Sequence, residues 1–190
     1  MNAFEIPEFK YNSEELKQVY LNNDSEWAKY GINEKLTLHT QYVASENPVI
    51  LKHIQQIKNY SDVVENVKFF KTLVNAGVGP HRDKRNVAIN IPVIINEESY
   101  VVFYEASEEL DPVLSLSDKK ILTTAKYYKQ EQAQPVETFN CQNAFCIDTS
   151  KIHGVSNNSK EDRVILSISF KDEYNDFNKI RDMYENGDLL

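Results

Sequence analysis

The sequence predicts a mainly β protein, a sandwich or barrel, with helices gathered towards its two ends. Two observations carry this. From about residue 66 the chain becomes a series of short segments rich in Val, Ile, Phe and Tyr: "VKFFKTLV", "NVAINIPVII", "SYVVFYEA", "AKYYKQEQ", "VETFNCQ", "AFCID" and "RVILSISF". Turn-prone pieces separate them, "NAGVGP", "NEE", "TSKIHG" and "SNNSKED". Many short strands at such spacing indicate a sandwich or barrel rather than βαβ units.

The elements follow in order. "YNSEELKQVYLNN" reads as a helix with Asn12 or Ser13 as its cap, acids in its first turn, and Leu16, Val19 and Tyr20 on one face. "KLTLHTQYV" alternates and carries β-branched residues, so it reads as a strand. "SENPVILKHIQQIKNY" places Asn47 before Pro48, the preferred order of cap and first helical residue. Its Val49, Ile50, His53, Ile54 and Ile57 recur at helical spacing. The β segments come next, interrupted by "EELDPVLSLSDKKILTT", which reads as an excursion over one face. "NDFNKIRDMYENGD" closes the chain as a helix. The organisation expected is one domain, 1–190, with a helical support region at 1–65, a β core at 66–171 and a C-terminal helix at 172–190. Neither an internal repeat nor a low-complexity linker interrupts it.

Composition narrows the partners. Hydrophobic residues make up 41% and charged residues 26%, enough for an ordinary core. The net charge is -8, from 21 basic and 29 acidic side chains, and no basic stripe offsets it. An acidic surface repels phosphate backbones, so nucleic acid is disfavoured as a partner. The start, "MNAFEIPEFK", lacks the apolar stretch of a secretory signal, and the longest apolar runs are roughly half the ~18 residues of a spanning helix. A soluble, cytoplasmic protein without membrane contact is expected. Cys141 and Cys146, alone in the chain, read as free thiols.

Four histidines are present, at 39, 53, 81 and 153. His39, on the alternating strand, and His53, on a helix, read as packing or surface residues. His81 and Asp83 differ: they stand two apart in "PHRDKRNVAINIPV", at the mouth of an apolar run that has no need of a carboxylate. Residues i and i+2 of an extended chain point to one side, so the pair can grip a single ion. His153, in "KIHGV", sits at another junction of strand and loop. Two imidazoles and a carboxylate suit Fe(II), occupying one face of an octahedron and leaving three adjacent positions open. Arg163 follows His153 by ten positions, at the start of "RVILSISF". On a strand beginning there, Arg163, Ile165, Ser167 and Ser169 share a face. A guanidinium turned inward on that face needs an anion, and a small-molecule carboxylate meets it with paired hydrogen bonds.

At these residues the chain resembles the 2-oxoglutarate/Fe(II)-dependent oxygenases, which are built on a double-stranded β-helix of jelly-roll or cupin-like form. Their signature is His-x-Asp/Glu, a distant His, then Arg or Lys about ten residues on; here it is "HRD" at 81–83, His153, and Arg163 in "EDRVILSIS". The resemblance spans roughly residues 66 to 171, and "HRDKRNVAINIPV" and "IHGVSN" are most similar to the aspartyl/asparaginyl- and prolyl-hydroxylase-like branches. It implies that His81, Asp83 and His153 bind iron and that Arg163 holds the far carboxylate of 2-oxoglutarate. It further implies oxidation of that co-substrate to succinate and carbon dioxide, with hydroxylation of a C–H bond in an amino acid, peptide side chain or small metabolite. A carboxylate at 83 favours hydroxylation, because the family's halogenases replace it to admit halide. Where many members carry Arg-x-Ser on the last strand, this chain has Ile165, and the in-register serine is Ser167. Ser167 or Asn90 is then the candidate second donor to 2-oxoglutarate, and Arg85 a candidate substrate contact.

Two rival readings use the same scaffold. One is a cupin-like metal-binding or isomerase module without oxygenase activity, for which Arg163 is dispensable. The other is an interaction protein whose barrel has lost chemistry, against which the complete ligand set argues.

Overall fold

Asn12 starts the first helix. Its side-chain oxygen accepts from the backbone N–H of Glu14 and Glu15 at 3.1 and 3.2 Å, and α1 runs Ser13–Asn22. Asn47 does the same for Val49 and Ile50 ahead of Pro48, opening α2, Pro48–Ile54. This helix is shorter than its periodic pattern suggests, although Ile57 beyond its end is still buried. Two further helices follow, α3 at Tyr60–Val63 and α4 at Phe177–Glu185, the latter capped by Asp176. The computed structural model describes residues 1–25, 27–31, 37–94, 97–106, 126–140 and 142–190. The excursion read at 108–124 and Cys141 lie outside the described residues.

The strands are β1 Ala3–Glu5, β2 Ala28–Gly31, β3 Thr37–Tyr42, β4 Val64–Thr72, β5 Ala76–Arg82, β6 Val87–Ile94, β7 Ser99–Ala106, β8 Lys126–Tyr127, β9 Ala133–Asn140, β10 Phe145–Asp148, β11 His153–Asn157 and β12 Arg163–Phe170. They form two sheets. The larger has the order β1-β10-β6-β12-β4-β3-β2 and the smaller β8-β5-β11-β7-β9, with antiparallel pairings. From β4 to β7, and again from β9 to β12, successive strands alternate between the sheets. That alternation is the jelly-roll winding of a double-stranded β-helix, the fold class expected. Residues 1–65 do more than supply helices: β1, β2 and β3 all extend the larger sheet.

The larger sheet is covered on both faces. Leu16, Ile50, Ile54, Phe177 and Ile180 of the helices pack on its outer face against Val87, Ile89, Ile91 and Val93 of β6 and Val164, Leu166, Ile168 and Phe170 of β12. Its inner face meets the smaller sheet through Ala88, Val101, Phe103, Phe145 and Ile147. Burial on two faces explains the near-continuous apolar runs of β6 and β12. Their polar residues, Asn90, Arg163, Ser167 and Ser169, all fall on the inner face.

"NAGVGP" reads as a turn, yet β5 begins inside it at Ala76. Its glycine permits close approach of strands: a Cβ on Gly77 would stand 2.5 Å from the carbonyl oxygen of Val155. Across the same pairing, a Cβ on Gly154 would stand 2.6 Å from the carbonyl oxygen of Val78. The obstacle in both cases is backbone, which cannot rotate aside. Gly154→Ala is therefore expected to destabilise the fold by about 1–3 kcal/mol. Thermal denaturation checks this, and an unchanged Tm would contradict so close a β5–β11 contact.

Candidate metal centre

Strand pairing brings the histidines together. β11 lies between β5 and β7, and its first residue, His153, is in register with His81 on one side and Phe103 on the other. The two imidazole centroids are 4.3 Å apart. A register shift between His153 and Val155 tightens the local twist where the ring must be aimed. His81 and Asp83 do not share a strand mouth in the way the sequence suggests. His81 belongs to β5 of the smaller sheet, Asp83 lies just past its end, and the apolar run that follows crosses to the larger sheet as β6.

The crossing segment is pinned from both directions. Asp83 N–H donates to the Thr149 carbonyl at 3.1 Å, Thr149 N–H to the Asn86 carbonyl at 3.0 Å, and the Thr149 hydroxyl to the Arg85 carbonyl at 2.6 Å. Asn86 is further held by Asn175.

His81, Asp83 and His153 each offer one ligand atom, and these lie within 4.8 Å of one another. Both rings are 5% exposed. Nδ1 of His81 sits 2.9 Å from the Gly79 carbonyl, and Nδ1 of His153 3.0 Å from the Lys151 carbonyl. A carbonyl only accepts, so each Nδ1 carries the proton and each Nε2 presents its lone pair. Nε2 of His81 is 3.5 Å from Oδ1 of Asp83. Two imidazoles presenting Nε2 and a carboxylate at this spacing match the donor set of a facial metal site.

Burial and neighbours set the charges. Desolvation would raise the Asp83 pKa, but Arg85 and the two histidines outweigh it and hold the carboxyl at about 2. Burial, with His81 alongside, lowers His153 to about 4 against the opposing pull of Asp83. Both groups are thus in their ligating forms at neutral pH.

The remaining sequence candidates line one cavity of about 520 Å³ with the triad, or touch its walls. Arg163 opens β12 opposite Thr72 and is 3% exposed. Among the described residues its Nη2 meets no hydrogen-bond partner, and neither does Oδ1 of Asn90. Ser167, fully buried, accepts from Arg85 Nη1 at 3.1 Å, and Ser169 accepts from the same nitrogen at 2.8 Å. Arg85 also donates from Nε to Oδ2 of Asp83 at 3.0 Å and lies 5.1 Å over the Phe70 ring.

His39 pairs in register with Lys71, on the sheet face opposite to Thr40 and Phe70, which line the cavity. His53 is buried at the α1–α2 junction, with Nδ1 by the Val49 carbonyl at 2.6 Å and Nε2 accepting from Asn12 N–H at 3.3 Å. Cys146 is a buried free thiol.

Sequence reasoning missed several contributors. Asn157 donates to the carbonyls of Thr72, Leu73 and Glu161 and so fixes the turn between His153 and Arg163. Tyr42 and Lys68 stand on the inner face of β3 and β4 at the cavity lip, with Lys68 Nζ 4.4 Å over the Tyr42 ring. Alternation of "KLTLHTQYV" and "VKFFKTLV" defines those faces, but which face meets the cavity depends on sheet order.

No protein-family model matches the sequence, and no curated protein matches it. Solved structures do resemble the fold. The non-heme alpha-ketoglutarate-dependent epimerase SnoN from nogalamycin biosynthesis superposes with a TM-score of 0.55 at 11% identity, over 90% of this chain and 78% of that one. A prolyl-4-hydroxylase from Pseudomonas putida gives 0.55 at 9% identity, over 90% and 92%. A 2OG-Fe(II) oxygenase family oxidoreductase from Burkholderia pseudomallei gives 0.51 at 9% identity, over 93% and 88%. At these identities the likeness establishes a shared fold.

The charge states yield a pH dependence for the metal-free protein. Between pH 6.5 and about 4 an unfolded chain binds a proton at His153 that the folded chain refuses, so stability falls on acidification by up to about 3 kcal/mol. Between 3.8 and about 2 the depressed Asp83 removes about 2 kcal/mol more, with the same sign. Urea denaturation midpoints from pH 7 to 4 are expected to fall more steeply for the wild type than for His153→Gln. Parallel profiles would mean that His153 is not held neutral.

Proposed function

We propose that the chain is an Fe(II)- and 2-oxoglutarate-dependent dioxygenase that hydroxylates a C–H bond of a small molecule, amino acid or peptide side chain. One observation carries this above all: a buried guanidinium with an unpartnered nitrogen shares a single cavity with a His–Asp–His triad. A triad alone suits many metal proteins. A buried guanidinium with a free donor beside the triad suits an anion that joins the metal there, since an unmet buried donor costs about 1–3 kcal/mol.

The residues divide the work by position. Nε2 of His81, Oδ1 of Asp83 and Nε2 of His153 are the three atoms that would hold iron. Arg163 would take the distal carboxylate of 2-oxoglutarate, with Asn90 facing the same space from β6. Val101, Ile147 and Ile165 make the wall between them apolar and restrict water. When bound, iron would let dioxygen act as the oxidant, one oxygen atom going to the substrate C–H bond and the other to 2-oxoglutarate, which would leave as succinate and carbon dioxide. The likeness to oxygenases of this type, SnoN and the prolyl-4-hydroxylase among them, supports the reading through the fold. We place the enzyme in the cytoplasm, where a thiol such as that of Cys146 stays reduced.

Epimerisation is a second outcome at such a centre, favoured by the likeness to the epimerase SnoN. Product mass separates the two, because hydroxylation adds one oxygen atom and epimerisation adds nothing.

Anaerobic addition of Fe(II) and 2-oxoglutarate is expected to give a weak visible absorption band, and air to start succinate release with a suitable substrate. Arg163→Ala is expected to weaken 2-oxoglutarate by at least about 100-fold, for loss of paired charge-assisted bonds of about 1.5–3 kcal/mol each, while metal affinity stays within a few-fold. A wild type that binds metal but shows no band, and a variant indistinguishable from it, would favour the cupin-like module.

A further inference from the structure

Arg85 and Arg163 lie against the same cavity but are engaged differently. Arg163 Nη2 has no partner among the described residues. Arg85 makes three bonds inside the protein, Nε to Oδ2 of Asp83 and Nη1 to the hydroxyls of Ser167 and Ser169. Its cation rests over Phe70, and its backbone carbonyl is held by Thr149. Four groups thus meet this guanidinium, and Thr149 fixes the backbone behind it. A side chain fixed this fully is placed to hold something else in turn, and the charged group it holds is the Asp83 carboxylate.

We propose that Arg85 is a positioning residue that restricts Asp83 to one-oxygen metal coordination by occupying Oδ2 and leaving Oδ1 turned towards the imidazoles. The inference rests on the metal-centre reading above. A carboxylate free to rotate can bind a cation through both oxygens and so fill an additional coordination position. With Oδ2 bonded to a guanidinium that β12 itself anchors, that rotation breaks a charge-assisted bond. The serines of β12 then serve the site indirectly. Ser167 accepts from Arg85 and keeps its own O–H as a donor, and the rigid strand that begins with Arg163 also sets the orientation of Asp83. Held so, Asp83 would offer a bound metal one oxygen and leave more of its coordination positions to other ligands.

The experiment is a titration of the metal-free protein with Co(II), read by visible absorption, which reports affinity and coordination without turnover. Outer-shell partners of metal ligands typically contribute 10–100-fold in affinity. Arg85→Gln is expected to lose about that factor and to change the shape of the Co(II) spectrum, with the far-UV circular dichroism unchanged. Arg85→Lys keeps the charge but lacks the fork that reaches Asp83 and both serines at once, so it is expected to recover only part of the affinity. The Ser167→Ala/Ser169→Ala double variant leaves Arg85 in place without its anchors, is expected to lose several-fold, and decides the matter should Arg85→Gln not fold. Wild-type affinity and spectrum in Arg85→Gln and in the serine pair, or full recovery by Arg85→Lys, overturn the proposal. A wild type that takes up no Co(II) sinks the metal-centre reading itself, a separate failure.

Discussion

The antiparallel pairing of β5 with β11 is the constraint on which the rest of this structure depends. It sets His153 opposite His81 across a span of 72 residues, and no local interaction could do so. The pairing is close because glycines face it from both strands, Gly77 from β5 and Gly154 from β11, with the carbonyls of Val155 and Val78 in the space that side chains would fill. The imidazoles are thus aimed by backbone hydrogen bonds, and each is then locked in one tautomer by a carbonyl two residues before it. A candidate metal site placed by strand register moves only if the strands slip, and slipping by one residue would turn every side chain of β11 to the other face.

The larger sheet adds a second constraint. Its outer face is committed to the helices and packs as an ordinary apolar core, so whatever polar chemistry β6 and β12 carry has to point inward. Asn90, Arg163, Ser167 and Ser169 do so, and Asn90, Arg163 and Ser169 line the cavity. The division lets one strand stabilise the fold with its even-numbered residues and serve the site with its odd ones. It also links the centre to the strand that begins with Arg163: through Arg85, the orientation of Asp83 depends on Ser167 and Ser169, four and six residues along that strand.

Much of this was legible in the residues. The caps at Asn12 and Asn47, the strands β4, β6, β7, β9, β10 and β12 and the shared inward face of Arg163, Ile165, Ser167 and Ser169 follow from local propensity and from the period of two along a strand, whereas β5 and β11 fall in pieces that read as turns. The His-x-Asp pair and the later His and Arg were recognisable from donor chemistry and spacing. The glycines misled, because "NAGVGP" offers the same composition to a turn and to a close strand contact. The bonds of Arg85 to Ser167 and Ser169 could not be read from the sequence, because those partners lie more than eighty residues away.

What the sequence determined by itself is the chemistry available: which atoms can bind a metal, which cation seeks an anion, and which strands present them. These are properties of residue type and of short-range geometry, and they survive without knowledge of the neighbours. Only the tertiary structure decided which nitrogen faces the cavity, that among the described residues Arg163 Nη2 has no partner while Nε and Nη1 of Arg85 are bonded, and that β1, β2 and β3 widen the sheet that backs the site. The physical reason is that hydrogen-bond partnership and burial arise from strand order and register, which hydrophobic packing over the whole chain selects.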